Sequence, residues 1–163
     1  MMCDSHHGDA LQMQLEKYII MDDVEVEDVS QNWSAYSIQG PLSTRMLSAT
    51  LGESLNEFSQ TGETQMVALR SGESGIAIAH SRTGEQGIDL WIPASAASLW
   101  EREWEKAHTP FSDTASAVWQ EARIEALIAE VRNEMASEVI PVEVGLGHTC
   151  LLYTSPSPRD VCS

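Results

Sequence analysis

Apolar residues recur at helical spacing between Asp9 and Ile20, where Leu11, Leu15, Tyr18 and Ile19 line one face and Asp9 stands at the cap. The period then changes. Asp22 to Val29 alternates acidic and apolar residues (Asp23, Val24, Glu25, Val26, Glu27, Asp28, Val29), which predicts a strand with one face buried. A second strand is expected from Trp33 to Ile38, ending in Gln39-Gly40-Pro41. Glycine allows a sharp turn there, and Pro41 suits the first turn of a helix over Ser43–Leu51 that Gly52 closes. Glu53 to Glu63 is polar and reads as a loop or a short helical turn.

Three further strands are predicted at Thr64–Arg70, Gly75–Ser81 and Gly87–Pro93. Their separators, Ser71-Gly72-Glu73 and Thr83-Gly84-Glu85-Gln86, carry turn chemistry. Links this short join antiparallel neighbours, because a parallel pair needs a long crossover. Helices follow at Ala94–Ala107 and from Asp113, a capping residue, to about Met135. The expected fold class is α+β, an antiparallel sheet with packed helices.

The charge narrows the partners. Nine Lys and Arg stand against 25 Asp and Glu, a net charge of -16. Phosphate binding needs clustered basic residues, so no nucleic-acid surface is expected. No apolar run reaches the ~20 residues that span a bilayer, and the start Met1-Met2-Cys3-Asp4 lacks the regions of a signal peptide. The expected address is cytoplasmic.

Residues 150–163 change how the composition is read. Cys150-Leu151-Leu152-Tyr153-Thr154-Ser155-Pro156-Ser157-Pro158-Arg159-Asp160 resembles the translation of a transposase end and adapter used in sequencing libraries. Such scars are excluded from fold reasoning. The expected natural part is therefore residues 1–149, a partial domain, with 150–163 forming no domain. Excluding the tail leaves Cys3 alone of three cysteines, so neither a disulfide framework nor a cysteine metal site is expected.

Four features carry candidate chemistry. Asp4-Ser5-His6-His7-Gly8-Asp9 offers two imidazoles and two carboxylates, but zinc needs three or four convergent ligands, and a polar lead-in to the helix is the expected reading. Gly84-Glu85-Gln86-Gly87 feeds a strand where a phosphate cradle feeds a helix N-terminus, so it reads as a hairpin turn. Trp91, Trp100, Trp104 and Trp119 are expected in or over the core. Glu125 is flanked at helical offsets by Val118, Ala122, Ile128 and Ala129, which sets a carboxylate at the edge of an apolar face. There it is either a structural or solvated charge or a ligand carboxylate. In the second case its two oxygens match a planar, amidine-like donor edge such as that of a pterin.

Five segments together resemble the tetrahydrofolate-binding aminomethyltransferase superfamily, which includes the glycine cleavage T-protein and the YgfZ-type folate-binding proteins. They are Leu15–Ile20 with Val24–Asp28, Ile38–Pro41, Thr83–Leu90, Arg123–Ala126 and Ile140–Glu143, in the family's order. The resemblance implies α+β modules around a folate pocket and reduced folate, tetrahydrofolate, as cofactor. It also implies a pterin contact by the glutamate of Arg-x-Glu, here Glu125. In the T-protein branch an aspartate upstream of these segments assists transfer of the aminomethyl carbon. Glu143 would lie on the segment leading toward the active-site region. No catalytic residue is assigned within this chain, and no metal.

Two departures accompany the resemblance. After Arg-Ile-Glu-Ala the family places Gly, then Pro and another Gly, where this chain has Leu127, Ala129 and Arg132. Without those breakers the helix is expected to run on. The YgfZ-type Lys-Gly-Cys-Tyr signature, due soon after Glu143, is not in the sequence. The run Leu15–Ile20 into Val24–Asp28 points to the YgfZ-type branch, which supports iron–sulfur proteins without defined turnover. The alternatives are an aminomethyltransferase and a non-catalytic α+β interaction module. On any of these readings residues 1–149 alone are expected to bind folate poorly, because a pocket needs elements from missing flanks.

Overall fold

A computed structural model of the chain describes residues 8–19, 23–108, 117–130 and 140. Among them are four α-helices and one four-stranded antiparallel sheet, the predicted α+β architecture. Helix α1 is Gly8–Glu16, strand β1 Trp33–Gln39 and helix α2 Ser43–Leu51. Strands β2 (Thr64–Ala68), β3 (Ser74–Ala79) and β4 (Gly87–Pro93) follow, then α3 (Ala97–Ala107) and α4 (Ala117–Glu125). The sheet order is β1-β4-β3-β2, so the first strand crosses over to pair with the last, Ser37 opposite Asp89 and Ile38 opposite Ile88.

Alternation along β4 sets the layers. Ile88, Leu90 and Ile92 are wholly buried on the face that receives α2 and α3, together with Leu47, Val67, Ala77, Trp100 and Trp104. Burying a side chain of this size contributes about 1.5–3 kcal/mol, and these residues form one continuous core. Trp100 and Trp104 sit one turn apart on α3, their rings 5.9 Å apart, and Tyr36 of β1 reaches Trp100 at 6.4 Å. Trp91 and Trp119 are half-buried, so the tryptophans take the expected core and cover positions. Asp89 and Trp91 point the other way, onto the second face of the sheet.

Local signals hold where the chain obeys them. Gly52 adopts φ 79 at the end of α2, and its N–H donates to Ser48 O at 2.9 Å, as a glycine stop should. Ala94–Ala96 forms a 3₁₀ turn before α3. Asp9 falls inside the first turn of α1 and not at its cap. Pro41 lies in the turn ahead of α2, which starts at Ser43 behind the N-cap Leu42.

Two expected elements take another form. Residues 23–29 form no strand: Val24 is 59% exposed, Val29 is exposed, and among the described residues β1 pairs only with β4. Alternation names the face a strand would bury but supplies no partner strand. The segment is held otherwise, by Gln12 Nε2 donating to Val26 O (3.0 Å) and by Asp28 Oδ1 accepting from Ser30 N–H (2.8 Å). The Ser30 bonds keep the Asp28 carboxyl below its ordinary value and turn the chain into β1.

The last helix also stops early. It ends at Glu125, and Leu127 takes the left-handed conformation, φ 56. Leu127 N–H donates to Ile124 O (3.0 Å) and Ile128 N–H to Arg123 O (2.9 Å), the bond pair of a Schellman stop. Leucine is a poor residue for that position, so the stop is imposed by more than local preference. Asp113 and residues 131–135 of the expected helix lie outside the described residues, as do His6, His7, Glu143 and residues 150–163.

Candidate functional site

Three of the five family-like segments meet at one end of the sheet. The loop from His80 to Gln86 joins β3 to β4 and is tied to β1 by Gln39. Gln39 Nε2 donates to Ser37 Oγ (2.9 Å) and His80 O (3.0 Å), and Gln39 Oε1 accepts from Arg82 N–H (2.9 Å). The Gln39 amide lies directly over Gly87, where any Cβ would collide with it. Gly40 N–H donates to Gln86 O at 2.7 Å, which joins the Ile38–Pro41 segment to the Thr83–Leu90 segment. On the other side Gly84, at φ +80, sits against Ala126. A Cβ at Gly84 would stand 2.7 Å from Ala126 Cβ. The Gly-Glu-Gln-Gly turn is thus a hairpin, feeding β4, whose glycines let β1 and the end of α4 approach it.

Asp89 lies beneath this loop, 3% exposed. Ser37 Oγ donates to its Oδ1 at 2.7 Å, His80 Nδ1 lies 2.7 Å from Oδ2, and Arg82 Nη2 donates to Oδ2 at 2.7 Å. Arg82 Nε donates to both oxygens at 3.1 Å. Burial pushes the Asp89 carboxyl up, but the bonds from Arg82, His80 and Ser37 and the Arg82 charge hold it below the usual carboxylate range. An ionised Asp89 can only accept, so the contact with His80 needs a proton on Nδ1. Sequence reasoning missed this network. The signal that could have found it was Asp89 itself, a charge inside the apolar run Ile88–Ile92, since a buried charge needs partners.

Glu125, the carboxylate singled out from the sequence, is the last residue of α4 and is exposed. Of its flanking residues Val118 is exposed, Ala122, Ile128 and Ala129 are half-buried, and the buried member of the Arg-Ile-Glu segment is Arg123. Among the described residues Glu125 makes no hydrogen bond or ion pair. The contact between Ala126 and Gly84 brings it beside the loop that carries Glu85, also exposed. The arrangement offers one carboxylate beneath the loop with both oxygens taken, Asp89, and one with both oxygens free on the segment that packs against Gly84, Glu125. No group of three or more His, Cys, Asp or Glu among the described residues could hold a metal. None of their helices is long and apolar enough to cross a membrane.

The GCVT N-terminal domain matches residues 1–153. An aminomethyltransferase of Oceanobacillus iheyensis is 28% identical over 138 residues, covering 83% of this chain and 37% of its own length. One from Rubrobacter xylanophilus is 29% identical over 133 residues, covering 80% of this chain and 34% of its own. A third, from Caldanaerobacter subterraneus, is 29% identical over 129 residues, with 76% and 33% covered. The chain therefore spans about a third of the length of the curated relatives it matches. With a domain match over nearly the whole sequence and relatives of one name, the chain belongs to the GCVT N-terminal domain family, within the T-protein-like folate-binding superfamily.

Proposed function

We propose that this chain is the part of a longer protein that holds tetrahydrofolate by its pterin ring, with Glu125 as the contacting carboxylate. The observation that carries the reading is the convergence of Ile38–Pro41, Thr83–Leu90 and Arg123–Ala126 at one end of the sheet, with Glu125 at its edge. A pterin presents two parallel N–H donors, which a carboxylate with two free oxygens accepts together. Asp89, with its oxygens already engaged by Ser37, His80 and Arg82, serves to brace the loop.

The relatives' shared name favours aminomethyl transfer as the activity of the whole protein, and we take tetrahydrofolate as the acceptor and the cytoplasm as the address within the same proposal. The run Leu15–Ile20 into Val24–Asp28 favours a second reading, the YgfZ-type role in support of iron–sulfur proteins. Aminomethyl transfer by a protein extended to the relatives' length separates the two: turnover supports the first, and folate binding without turnover supports the second. Calorimetry with 5-formyltetrahydrofolate on the same protein tests the site. Glu125→Gln removes the charge and one acceptor and is expected to weaken binding about tenfold or more. Unchanged affinity in that variant would remove Glu125 from the site.

A further inference from the structure

Glu125 is the last helical residue of α4 because the chain turns left-handed at Leu127, a conformation for which leucine has no preference. Arg123 accounts for the turn. It is 4% exposed, and it grips the departing chain from both of its ends. Its carbonyl accepts from Ile128 N–H at 2.9 Å, while its guanidinium Nη1 donates to Ile128 O at 3.1 Å. Nε donates to Gln120 Oε1 at 2.7 Å and lies 3.4 Å from Glu130 Oε2, with Gln120 Nε2 3.5 Å from the same carboxylate oxygen. One rigid fork thus joins the first half of α4, the residue after the turn and a residue beyond it.

We propose that Arg123 is a positioning residue: its clamp on Ile128 sets the left-handed turn at Leu127 and so fixes where α4 ends and where Glu125 stands. The assignment of Arg123 rests on the geometry. Its consequence for ligand binding rests on the pterin contact proposed for Glu125. On this account the guanidinium does the work that a glycine at 127 would do through backbone preference, and the two devices are interchangeable.

A double-mutant cycle tests the exchange, with nuclear magnetic resonance of the ligand-free chain as the primary readout. A positive φ at 127 gives a strong NOE between that residue's own amide and α protons, and the Ile128 amide is protected from exchange by its bond to Arg123 O. Arg123→Met is expected to lose the NOE and to lower protection at Ile128 about tenfold, while R123M/L127G regains the protection. Arg123→Lys, which keeps the charge without the fork, forms a second cycle with L127G if the methionine variant does not fold.

Persistence of the NOE in R123M or R123K overturns the proposal, and so does failure of L127G to restore protection. The folate arm uses the protein at its relatives' length. There R123M is expected to weaken 5-formyltetrahydrofolate about tenfold and R123M/L127G to return within about threefold of the parent. Recovery of the turn without recovery of affinity would make Arg123 a ligand contact and overturn its purely positioning role. Loss of binding in the parent itself would count against the proposed function and leave the clamp to be decided by the resonance data.

Discussion

Replacing Leu127 by glycine and, separately, by alanine separates the backbone of the α4 stop from its side chain. Leu127 is 80% exposed, so either truncation removes little buried surface, about 0.3–0.6 kcal/mol at one fifth of a full leucine burial. The two variants then differ only in how the backbone at 127 is tolerated. A residue with a Cβ in the left-handed region is disfavoured by about 1–2 kcal/mol, which alanine keeps and glycine sheds. Glycine in turn loses about 0.5–1 kcal/mol more conformational entropy on folding. The difference leaves L127G more stable than L127A by about 0.5–1 kcal/mol.

If α4 instead ran on through residue 127, as the absence of glycine and proline first suggests, the order would reverse, with glycine about 1 kcal/mol worse than alanine. The two geometries are therefore separated by about 1.5–2 kcal/mol and by sign. Urea unfolding of both variants measures this, provided the slope with denaturant is the same for each. On heating, 1 kcal/mol corresponds to about 2–4 °C for a chain of this size. L127A as stable as L127G, or more so, would refute the left-handed turn.

The remaining predictions concern the loop that faces this turn. Asp89 has a lowered pKa in the fold, so its contribution is complete above about pH 4, where the unfolded carboxylate is ionised, and is lost as pH falls through the lower folded value. Asp89→Asn is expected to cost about 2 kcal/mol at neutral pH, discounted because Arg82 and His80 are each about two-fifths exposed and can turn to water. It should also flatten the acid limb of a urea-stability profile below about pH 4, and an unchanged limb would show that other groups set it. Gly84→Ala puts a Cβ 2.7 Å from Ala126 Cβ at φ +80 and is expected to cost about 2 kcal/mol or more, with faster amide exchange at Ala126 and Leu127. A cost within about 0.5 kcal/mol, typical of surface changes, would mean that the loop does not pack on α4.

What the sequence makes legible follows from how far each structural cause reaches along the chain. Gly52 ends α2 by a preference of one residue, and the two links after β2 and β3 force antiparallel neighbours by their shortness, so these features are readable in place. The alternation of residues 23–29 is just as clear, yet it yields no strand. The pattern is local, whereas a sheet needs a second chain segment in register. Asp89 shows the same limit from the other side. His80 and Arg82 come from the loop just ahead of it, but Ser37 is brought by the pairing of β1 with β4, a crossover that no short window of sequence encodes. At the end of α4 the two scales compete. Leu127 and Ala129 favour more helix locally, while Arg123 holding Ile128 and Gly84 packing on Ala126 favour a stop. These contacts prevail because the helical preference of each residue amounts to only about a kilocalorie per mole. Glu125 was therefore legible as a residue type in a familiar segment. Its exposure and its place beside the Gly84 loop were not, since they depend on a turn whose cause lies in a buried arginine.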